Sequence, residues 1–255
     1  MKLDADVIQT LRASRVDGAR LFLPGQLDRK LYVRTDEALR ALGGQWSRKA
    51  RAHVFEADPR DAVAAALDAG AVTTARDLGF FPTPAPLARR LVALAGVRPG
   101  DVAVEPSAGE GAIVAELVAA GAEVHAVEVD PGRALRLRER FPKVDVLTRD
   151  WLDTHVAALC GRAPRAIVMN PPFSLEGQRE ADVAHVAHAL EMVAPGGNVV
   201  AVMSAGVAFR QTQASRVLRG MVELHGGSIE ELPEGTFRES GTDVRAVVVT
   251  VRGVR

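Results

Sequence analysis

Cysteine is almost absent from this chain of 255 residues, which contains only Cys160. A single cysteine excludes an intrachain disulfide framework and a zinc site built from several cysteines. Its neighbours, Ala-Leu-Cys-Gly, do not match a known cysteine nucleophile motif. We therefore expect Cys160 to have a structural role. With 47% hydrophobic residues, the chain can bury a core of ordinary size instead.

Long hydrophobic runs are also missing. No stretch reaches the roughly 18 apolar residues that a membrane-spanning helix requires. The chain starts with Met-Lys-Leu-Asp-Ala-Asp, which places acids where a secretory signal would be apolar. We therefore expect a cytoplasmic protein.

The chain also has no net charge, because 32 Lys and Arg balance 32 Asp and Glu. The chain therefore has no overall positive field to attract nucleic acid or an anionic membrane. Any nucleic-acid partner has to be held by a local group of basic residues.

Such a local group lies in the first part of the chain. Residues 1–76 hold 13 Lys and Arg against 10 Asp and Glu. Their pattern alternates strands and helices, which predicts a small α+β domain over residues 1–76 and a second domain over residues 77–255.

Residues 45–55, Gln-Trp-Ser-Arg-Lys-Ala-Arg-Ala-His-Val-Phe, are predicted as one strand. Alternation along a strand would place Trp46 and Arg48 on one face and Lys49 and Arg51 on the other. Basic side chains beside an aromatic ring suit phosphate contacts and base stacking, so these four residues are candidate nucleic-acid contacts. The alternative is a charged surface strand whose aromatic rings pack on the adjoining helix.

From Leu87 onward, runs of Val, Ile and Ala alternate with helical stretches. Continuous apolar strands separated by helices are typical of a mostly parallel sheet covered on both faces. The prediction is a doubly wound α/β domain. Ligands of such domains bind beyond the carboxyl ends of the strands, so the residues that follow each strand are the candidate site.

The first two strand ends suggest a nucleoside site. Gly109 and Gly111 lie in a strand-to-helix turn where a ligand can approach the backbone, although glycines alone also fit a tight turn without ligand. Glu128 and Asp130 end the next strand, where an acid can accept hydrogen bonds from both hydroxyls of a ribose. A dinucleotide site would have a fuller Gly-x-Gly-x-x-Gly, so a cofactor with adenosine and no phosphates fits better.

The third strand ends in Asp150 and Trp151. The carboxylate can accept a hydrogen bond from an adenine amino group, and the indole ring can stack on the base. The alternative is that Asp150 caps a helix and Trp151 is a core aromatic residue.

The fourth strand ends in Asn170, Pro171, Pro172 and Phe173. An exocyclic amine on an aromatic base is a weak nucleophile, because its lone pair is delocalised into the ring. The side-chain oxygen of Asn170 and the carbonyl of Pro171 can accept its two hydrogens and stabilise the positive charge that develops on nitrogen. The prolines fix the backbone, and Phe173 can stack on the base. A Pro-Pro turn that merely ends a buried strand is the alternative.

Five segments follow one another along the chain: Phe-Phe-Pro-Thr-Pro, Glu-Pro-Ser-Ala-Gly-Glu-Gly, His-Ala-Val-Glu-Val-Asp-Pro, Arg-Asp-Trp and Asn-Pro-Pro-Phe. In this order they resemble the motifs of the S-adenosylmethionine-dependent class I methyltransferases, specifically the DNA adenine amino-methyltransferases. The resemblance covers residues 79–252. It implies a Rossmann-like fold with an antiparallel closing hairpin, and S-adenosylmethionine as cofactor with S-adenosylhomocysteine as product.

The resemblance also implies roles for individual residues. Near the methionine part of the cofactor it places Phe81, Thr83 and Pro84, and on the methionine and ribose side Glu105, Ala108 and Gly109. It assigns Glu128 to the ribose hydroxyls, Asp150 and Trp151 to the adenine, and catalysis to Asn170, Pro171, Pro172 and Phe173. In the closing hairpin, Phe237 or Thr242 would border the target base.

The function expected from these features is transfer of a methyl group to the 6-amino group of adenine in DNA, by direct in-line displacement on a flipped base. An Asn-Pro-Pro-aromatic site also fits an RNA adenine or a protein glutamine as substrate. A cofactor-binding adaptor without turnover is the alternative from another class. No large recognition domain is visible in the sequence, which suggests that a partner protein supplies specificity. We expect no metal site, and we expect His185 and His188 to lie on a partly exposed helix surface.

Overall fold

The computed structural model describes residues 1–72, 81–155, 159, 161–175, 177–240 and 244–254. The chain folds as two compact units, Met1–Leu78 and Gly79–Arg255. The boundary expected from the sequence, between residues 76 and 77, falls outside the described residues, as do Cys160 and Thr242. No helix among the described residues is long and apolar enough to cross a membrane.

The first unit is a small α+β structure. It contains the helices α1 (Ala5–Ala13), α2 (Arg29–Ala41) and α3 (Arg60–Ala69), and the strands β1 (Arg15–Asp17), β2 (Arg20–Phe22), β3 (Gln45–Ser47) and β4 (Ala52–Val54). The strands form an antiparallel sheet in the order β1-β2-β4-β3. Helix α2 begins at Asp28, whose carboxylate accepts hydrogen bonds from the amides of Lys30 and Leu31. Its buried face, which includes Leu39, joins Leu21 and Phe55 in the core of this unit.

The structure corrects the expected strand over residues 45–55. These residues form a hairpin, in which β3 and β4 pair antiparallel with Trp46 opposite His53. The chain turns between Ser47 and Ala52, and Arg51 adopts a left-handed conformation with φ 51°. The predicted alternation of Arg48, Lys49 and Arg51 along one strand is therefore wrong. All three residues lie exposed in the turn that joins the two strands.

The second unit is the expected α/β domain. Its helices are α4 (Ala85–Ala95), α5 (Ala112–Ala119), α6 (Pro131–Arg140), α7 (Ala181–Met192) and α8 (Gln213–Leu224), and its strands are β5 (Val102–Glu105), β6 (Glu123–Glu128), β7 (Asp145–Thr148), β8 (Ala166–Met169), β9 (Asn198–Ser204), β10 (Ser228–Glu231) and β11 (Ala246–Arg252). Short 3-10 helices follow three of the strands or loops, at Trp151–Asp153, Ala205–Ala208 and Arg238–Ser240.

The sheet has the order β10-β11-β9-β8-β5-β6-β7. Strands β5 to β9 pair in parallel, and β11 is antiparallel to both β9 and β10. Helices α4, α5 and α6 cover one face, while α7 and α8 cover the other. Strands β5 and β8 are buried along their whole length, which explains their continuous apolar sequences. The prediction of a doubly wound, mostly parallel sheet with an antiparallel closing hairpin is confirmed.

The strand order shows at which end of the sheet a ligand can bind. The chain adds β6 and β7 on one side of β5, and then crosses to add β8 and β9 on the other side. Such a reversal opens a crevice at the carboxyl ends of the two central strands. The segments that follow β5 and β8 therefore meet at this point, and they are the two that carry the glycine turn and Asn170.

Candidate active site

A cavity of about 340 Å³ lies at this crevice. It is lined by Phe81, Pro82, Thr83, Ala85, Ser107, Ala108, Gly109, Glu110, Ala112, Ala115, Glu116, Arg140 and Asn170. Five of the residues predicted to bind the cofactor or to act in catalysis are thus brought together around one space: Phe81, Thr83, Ala108, Gly109 and Asn170. The first two belong to the segment before α4, the next two to the turn after β5, and the last to the end of β8.

The turn after β5 requires glycine for a packing reason. Gly111 adopts φ 79° directly before α5, where an L side chain is strained. A Cβ at this position would lie 2.7 Å from the Leu137 side chain and 2.7 Å from the Phe141 ring. Glycine therefore lets α5 begin close to α6, and both helices contribute residues to the lining of the cavity.

Glu128 holds this turn from the neighbouring strand. Its Oε2 accepts a hydrogen bond of 2.7 Å from the amide of Gly109. Its Oε1 accepts one of 2.8 Å from the amide of Asp130 and two, of 3.1 and 3.0 Å, from the Arg133 guanidinium. The carboxylate is only 4% exposed and does not line the cavity described above. Because Oε2 has a second lone pair, the predicted contact with a ribose hydroxyl stays open to it.

Glu105 ends β5 with its side chain buried. Its Oε2 has no hydrogen-bond partner among the described residues. Burial raises the pKa of this carboxyl well above its ordinary value, and the charge of Glu128 raises it further, while the amide of Val114 lowers it. An unpartnered buried acid beside the glycine turn suits a cationic group. The ammonium of S-adenosylmethionine is such a group, but Glu105 does not line the cavity described above, so this contact stays a prediction.

The raised pKa of Glu105 predicts opposite effects on stability and binding for Glu105→Gln. The carboxyl binds its proton more tightly in the folded state, so wild-type stability falls as pH rises from the ordinary value of 4.5 through the folded pKa. We expect the variant to lose this pH dependence and to be more stable than wild type at about pH 8. It should also bind S-adenosylmethionine more weakly, because the amide has no charge for the ammonium.

Denaturant unfolding at about pH 5 and about pH 8, with calorimetry of S-adenosylmethionine binding, measures both effects. Parallel pH dependence in the two proteins would contradict the shift in pKa. Equal affinity would remove Glu105 from the cofactor site.

Asn170 has a defined side-chain orientation. Its Nδ2 donates to the backbone carbonyl of Phe81 at 3.1 Å and to the Thr83 hydroxyl at 3.1 Å. Both amide hydrogens are therefore used inside the protein, which leaves Oδ1 as the part of the amide that can accept a further hydrogen bond. The acceptor role toward a substrate amine stays a prediction that this orientation allows.

Two of the other residues of the motif, Pro171 and Phe173, are more buried than Asn170. Pro171 is buried and Pro172 is half-buried. Phe173 is 9% exposed and belongs to the hydrophobic core between the sheet and α4, with its ring centre 6.5 Å from that of Phe81. Most of the Phe173 ring is therefore covered by protein, and its stacking on a base stays a prediction for the small exposed part.

The expected contact between Trp151 and adenine is corrected. Trp151 is 2% exposed, its Nε1 donates to the carbonyl of His185 at 3.1 Å, and its ring meets the edge of His188. The ring is part of the core, so it cannot stack on a ligand. Asp150 caps the following 3-10 helix through the amide of Leu152, as the alternative interpretation of this pair states. Since Asp150 is also exposed, the predicted contact of its carboxylate with an adenine amino group stays a prediction.

The two histidines of α7 differ in exposure, and only His188 has the partly exposed position that the sequence predicts. His185 is buried, and its Nδ1 bonds to the carbonyl of Ala181 at 2.8 Å. His188 is half-buried and bonds through Nε2 to the carbonyl of Thr154 at 2.9 Å. The expected surface position is wrong for His185, whose burial lowers its pKa. The His188 ring therefore fixes the segment after β7 against α7, whereas the His185 ring bonds within its own helix.

The segment before β11 also differs from expectation. Phe237 is 1% exposed and packs in the core with Phe173, so it does not border a substrate pocket. Three residues later, the Ser240 hydroxyl donates to the carbonyl of Pro82 at 2.7 Å. The segment before β11 therefore holds the residues before α4 in place through this hydrogen bond. Thr242, the other candidate, lies outside the described residues.

Sequence reasoning missed several residues of the cavity. Ala112, Ala115 and Glu116 are spaced three and four apart on α5, so a helical wheel drawn from the glycine turn would have found them. Arg140 and Arg133 belong to α6, whose run of charged residues is typical of a solvated helix face. Only the tertiary structure shows that Arg140 reaches the cavity and that Arg133 faces Glu128.

In the first unit, the hairpin carries a second candidate site. The basic hairpin, residues 45–54, exposes Arg48, Lys49 and Arg51 in its turn, and Trp46 is 40% exposed. Beside Trp46 lies a groove of about 490 Å³, lined by Arg40, Gly43, Gly44, Gln45 and Trp46.

Trp46 is held on one side by Tyr32 and His53, whose rings meet it edge-on at 6.3 and 5.3 Å. His53 is in turn fixed by Asp36 at 2.8 Å. The indole is therefore a supported ring with an open side, which combines both interpretations of this segment: it packs on α2 and is still accessible.

Comparison with known proteins agrees with this fold. No family model matches the chain. The ribosomal RNA small subunit methyltransferase A of Thermotoga neapolitana is 38% identical over 97 residues, which are 36% of this chain and 35% of the relative. The chain thus matches about a third of the length of such curated relatives.

Two solved structures extend the similarity to more than two thirds of the chain. A protein described as the modification subunit of a type I restriction enzyme from Vibrio vulnificus superposes with a TM-score of 0.58 at 16% identity, over 76% of this chain and 48% of that one. The 23S rRNA methyltransferase ErmE superposes with a TM-score of 0.52 at 22% identity, over 68% and 70%. The chain has the fold of the class I S-adenosylmethionine-dependent methyltransferases. S-adenosylmethionine as cofactor is consistent with these relatives.

Proposed function

We propose that this protein transfers a methyl group from S-adenosylmethionine to the exocyclic 6-amino group of an adenine in DNA. The observation that carries the proposal is the orientation of Asn170. Its amide hydrogens are engaged by Phe81 and Thr83, so its oxygen is left as an acceptor on a residue that lines the cavity expected to hold the cofactor. A fixed acceptor next to a cofactor cavity is what activation of an amine requires.

The residues of this chain bind and orient the reactants. Glu105 and the glycine turn would hold the amino acid part of S-adenosylmethionine, Glu128 its ribose and Asp150 its adenine. When bound, this cofactor supplies an electrophilic methyl group on a positively charged sulfur. The oxygen of Asn170 and the carbonyl of Pro171 accept the two hydrogens of the target amine and localise its lone pair.

With the cofactor bound, direct in-line displacement would transfer its methyl group to the lone pair that Asn170 and Pro171 localise, with S-adenosylhomocysteine as the product. The extra proton of the amine would pass to water. No side chain is needed as a general base.

RNA adenine is the second candidate substrate. It is favoured by the 38% identity over 97 residues to ribosomal RNA methyltransferases. DNA is favoured by the order of the motifs and by the Asn-Pro-Pro-Phe sequence itself. A protein glutamine also presents a planar amide to such a site, so it is a third outcome that an experiment has to distinguish.

The basic hairpin is proposed to bind the nucleic acid. Its exposed Arg48, Lys49 and Arg51 suit phosphates, and the accessible Trp46 suits stacking on a base. Because the net charge of the chain is zero, electrostatic affinity for nucleic acid has to come from this local group of basic residues. We propose further that a partner protein contributes sequence specificity.

Transfer of labelled methyl from S-adenosylmethionine to duplex DNA, single-stranded DNA, RNA and cell protein, followed by nucleoside analysis, tests the proposal. Label recovered as N6-methyladenine in DNA is expected. Methyladenine in RNA alone would select the second candidate, and label in protein would select glutamine. Cofactor binding without any transfer would favour the adaptor.

Replacing Arg48, Lys49 and Arg51 together by alanine should weaken nucleic-acid binding. Three phosphate contacts correspond to a change of about 2 to 3 in the slope of log affinity against log salt. Fluorescence anisotropy over a salt series measures this slope. Replacing the exposed Arg12, Arg15 and Arg20 of the same unit is the charge-matched control. If both triple variants bind alike, the hairpin is not the interface.

A further inference from the structure

The segment Phe81–Pro84 has a role toward Asn170 that neither its sequence nor its relatives assign. The resemblance puts Phe81 and Thr83 over the methionine part of the cofactor. In the structure, however, the Phe81 carbonyl and the Thr83 hydroxyl each accept one hydrogen of the Asn170 amide at 3.1 Å. We propose that Thr83 is a positioning residue that fixes the orientation of the catalytic amide, an inference that rests on the proposed function.

The orientation needs fixing because the side-chain amide is nearly symmetric in shape. A half-turn about its last torsion exchanges oxygen and nitrogen with little steric effect. In the reversed orientation, Asn170 would offer N–H donors to a target amine that itself has hydrogens to donate. The reversed form therefore cannot activate the amine.

The two acceptors have different parts in holding this orientation. The Phe81 carbonyl can only accept, so it would face the amide oxygen if the group reversed, and it sets the direction of the amide. The Thr83 hydroxyl can also donate, so it does not set the direction, but its bond to the second hydrogen holds the plane of the amide. Of the two, only Thr83 acts through its side chain, so it is the one that substitution can test.

Hydrogen bonds at both neighbouring residues hold the backbone around Thr83 in place. On one side, the Pro84 carbonyl accepts the amide of Ala88 at 2.9 Å, which joins the segment to the first turn of α4. On the other side, the Pro82 carbonyl accepts the Ser240 hydroxyl at 2.7 Å. The hydroxyl of Thr83 is therefore presented from a segment anchored at both neighbours, as a positioning residue requires.

Thr83 also lines the cavity, so a direct contact with the cofactor is the competing role. The two roles differ in kinetics. A positioning residue changes the rate at saturation and leaves cofactor affinity unchanged, whereas a cofactor contact changes the affinity. The hydroxyl can be removed at constant shape by Thr83→Val, and restored without the methyl group by Thr83→Ser.

For Thr83→Val we expect kcat for methyl transfer to fall about tenfold, the effect of losing one hydrogen bond. The dissociation constant of S-adenosylhomocysteine, measured by calorimetry, should stay within about twofold of wild type, and Thr83→Ser should restore most of kcat. Unchanged kcat in Thr83→Val would overturn the inference. A loss confined to cofactor affinity, or an equal loss of kcat in Thr83→Ser, would also overturn it.

The side-chain NH₂ signals of Asn170 in ¹⁵N spectra test the orientation of the amide without an assay of methyl transfer. They are identified by their absence in Asn170→Ala, and we expect them to shift in Thr83→Val and to return toward wild type in Thr83→Ser. If wild type transfers no methyl to any acceptor, the proposed function fails, and these spectra still decide whether Thr83 holds the amide. If wild type is active and the signals do not move, this inference alone fails.

Discussion

Asn170→Ala is expected to lower the rate of methyl transfer by about 100-fold or more, the usual effect of removing one preorganised polar group from a reacting centre. The substitution removes the oxygen that accepts from the target amine, together with the amide bonded to Phe81 and Thr83. It leaves Glu105, Glu128 and the glycine turn in place. Binding of S-adenosylhomocysteine should therefore change little, while kcat falls.

Asn198→Ala is the matched control. Asn198 also donates its amide, to the carbonyl of Ala95 at 2.8 Å, but it begins β9 and thus lies at the opposite edge of the sheet from Asn170. Radioactive transfer at saturating cofactor and calorimetry of both variants separate the effects. We expect full activity in the control if it folds. A loss of cofactor affinity as large as the loss of rate in Asn170→Ala would assign Asn170 to the cofactor instead.

The fold could be predicted because its signal is local and repeated. Strands such as β5 and β8 are buried on both faces, so they have continuous apolar sequences, and the helices between them force parallel pairing. The positions of Asn170 and the glycine turn followed, because the carboxyl ends of parallel strands meet at one edge. Those two predictions needed only the strand ends and the order of the chain.

Aromatic residues beside the site were harder to place. Trp151 and Phe237 follow or precede strands at the ligand edge, as a stacking residue would, yet both are buried in the core. A large ring beside a strand end can turn toward ligand or toward a helix, and the sequence pattern is the same in both cases. The neighbours that decide the direction, among them α7 behind Trp151, are distant along the chain.

The hairpin of the first unit shows another limit. Its turn contains no glycine or proline, the residues that usually mark a reversal, and Arg51 takes the left-handed conformation instead. A period-two pattern over residues 45–55 therefore predicts one strand where the structure has two. The partnership of Arg133 with Glu128 was missed for a related reason, because a basic residue on a charged helix carries no sign of the buried acid that it faces.

Glu128→Ala is expected to reduce both stability and cofactor affinity. The carboxylate accepts from the amides of Gly109 and Asp130 and from the Arg133 guanidinium in a nearly dry environment. Removing one side of a buried ion pair typically costs about 3 kcal/mol in the free energy of unfolding. The glycine turn also loses its anchor and the ribose its acceptor, so we expect affinity for S-adenosylhomocysteine to fall about tenfold or more.

Urea unfolding and calorimetry measure the two effects, and Glu123→Ala is the control. Glu123 lies at the start of the same strand, β6, and pairs with Arg162 at 2.7 Å, but its side chain is 53% exposed. Exposed pairs contribute little because water screens them. The control should therefore leave stability and affinity almost unchanged.

The double variant Glu128→Ala with Arg133→Met separates stability from binding. Replacing a buried ion pair with apolar groups is often close to neutral, whereas breaking it is not, so the double variant should recover much of the lost stability. It should not recover cofactor affinity, because the acceptor for the ribose and for the Gly109 amide is still missing. Recovery of both would mean that Glu128 serves the fold alone. Recovery of stability without affinity would show that Glu128 serves the cofactor site as well as the fold, either as the ribose acceptor or as the acceptor that anchors the Gly109 amide.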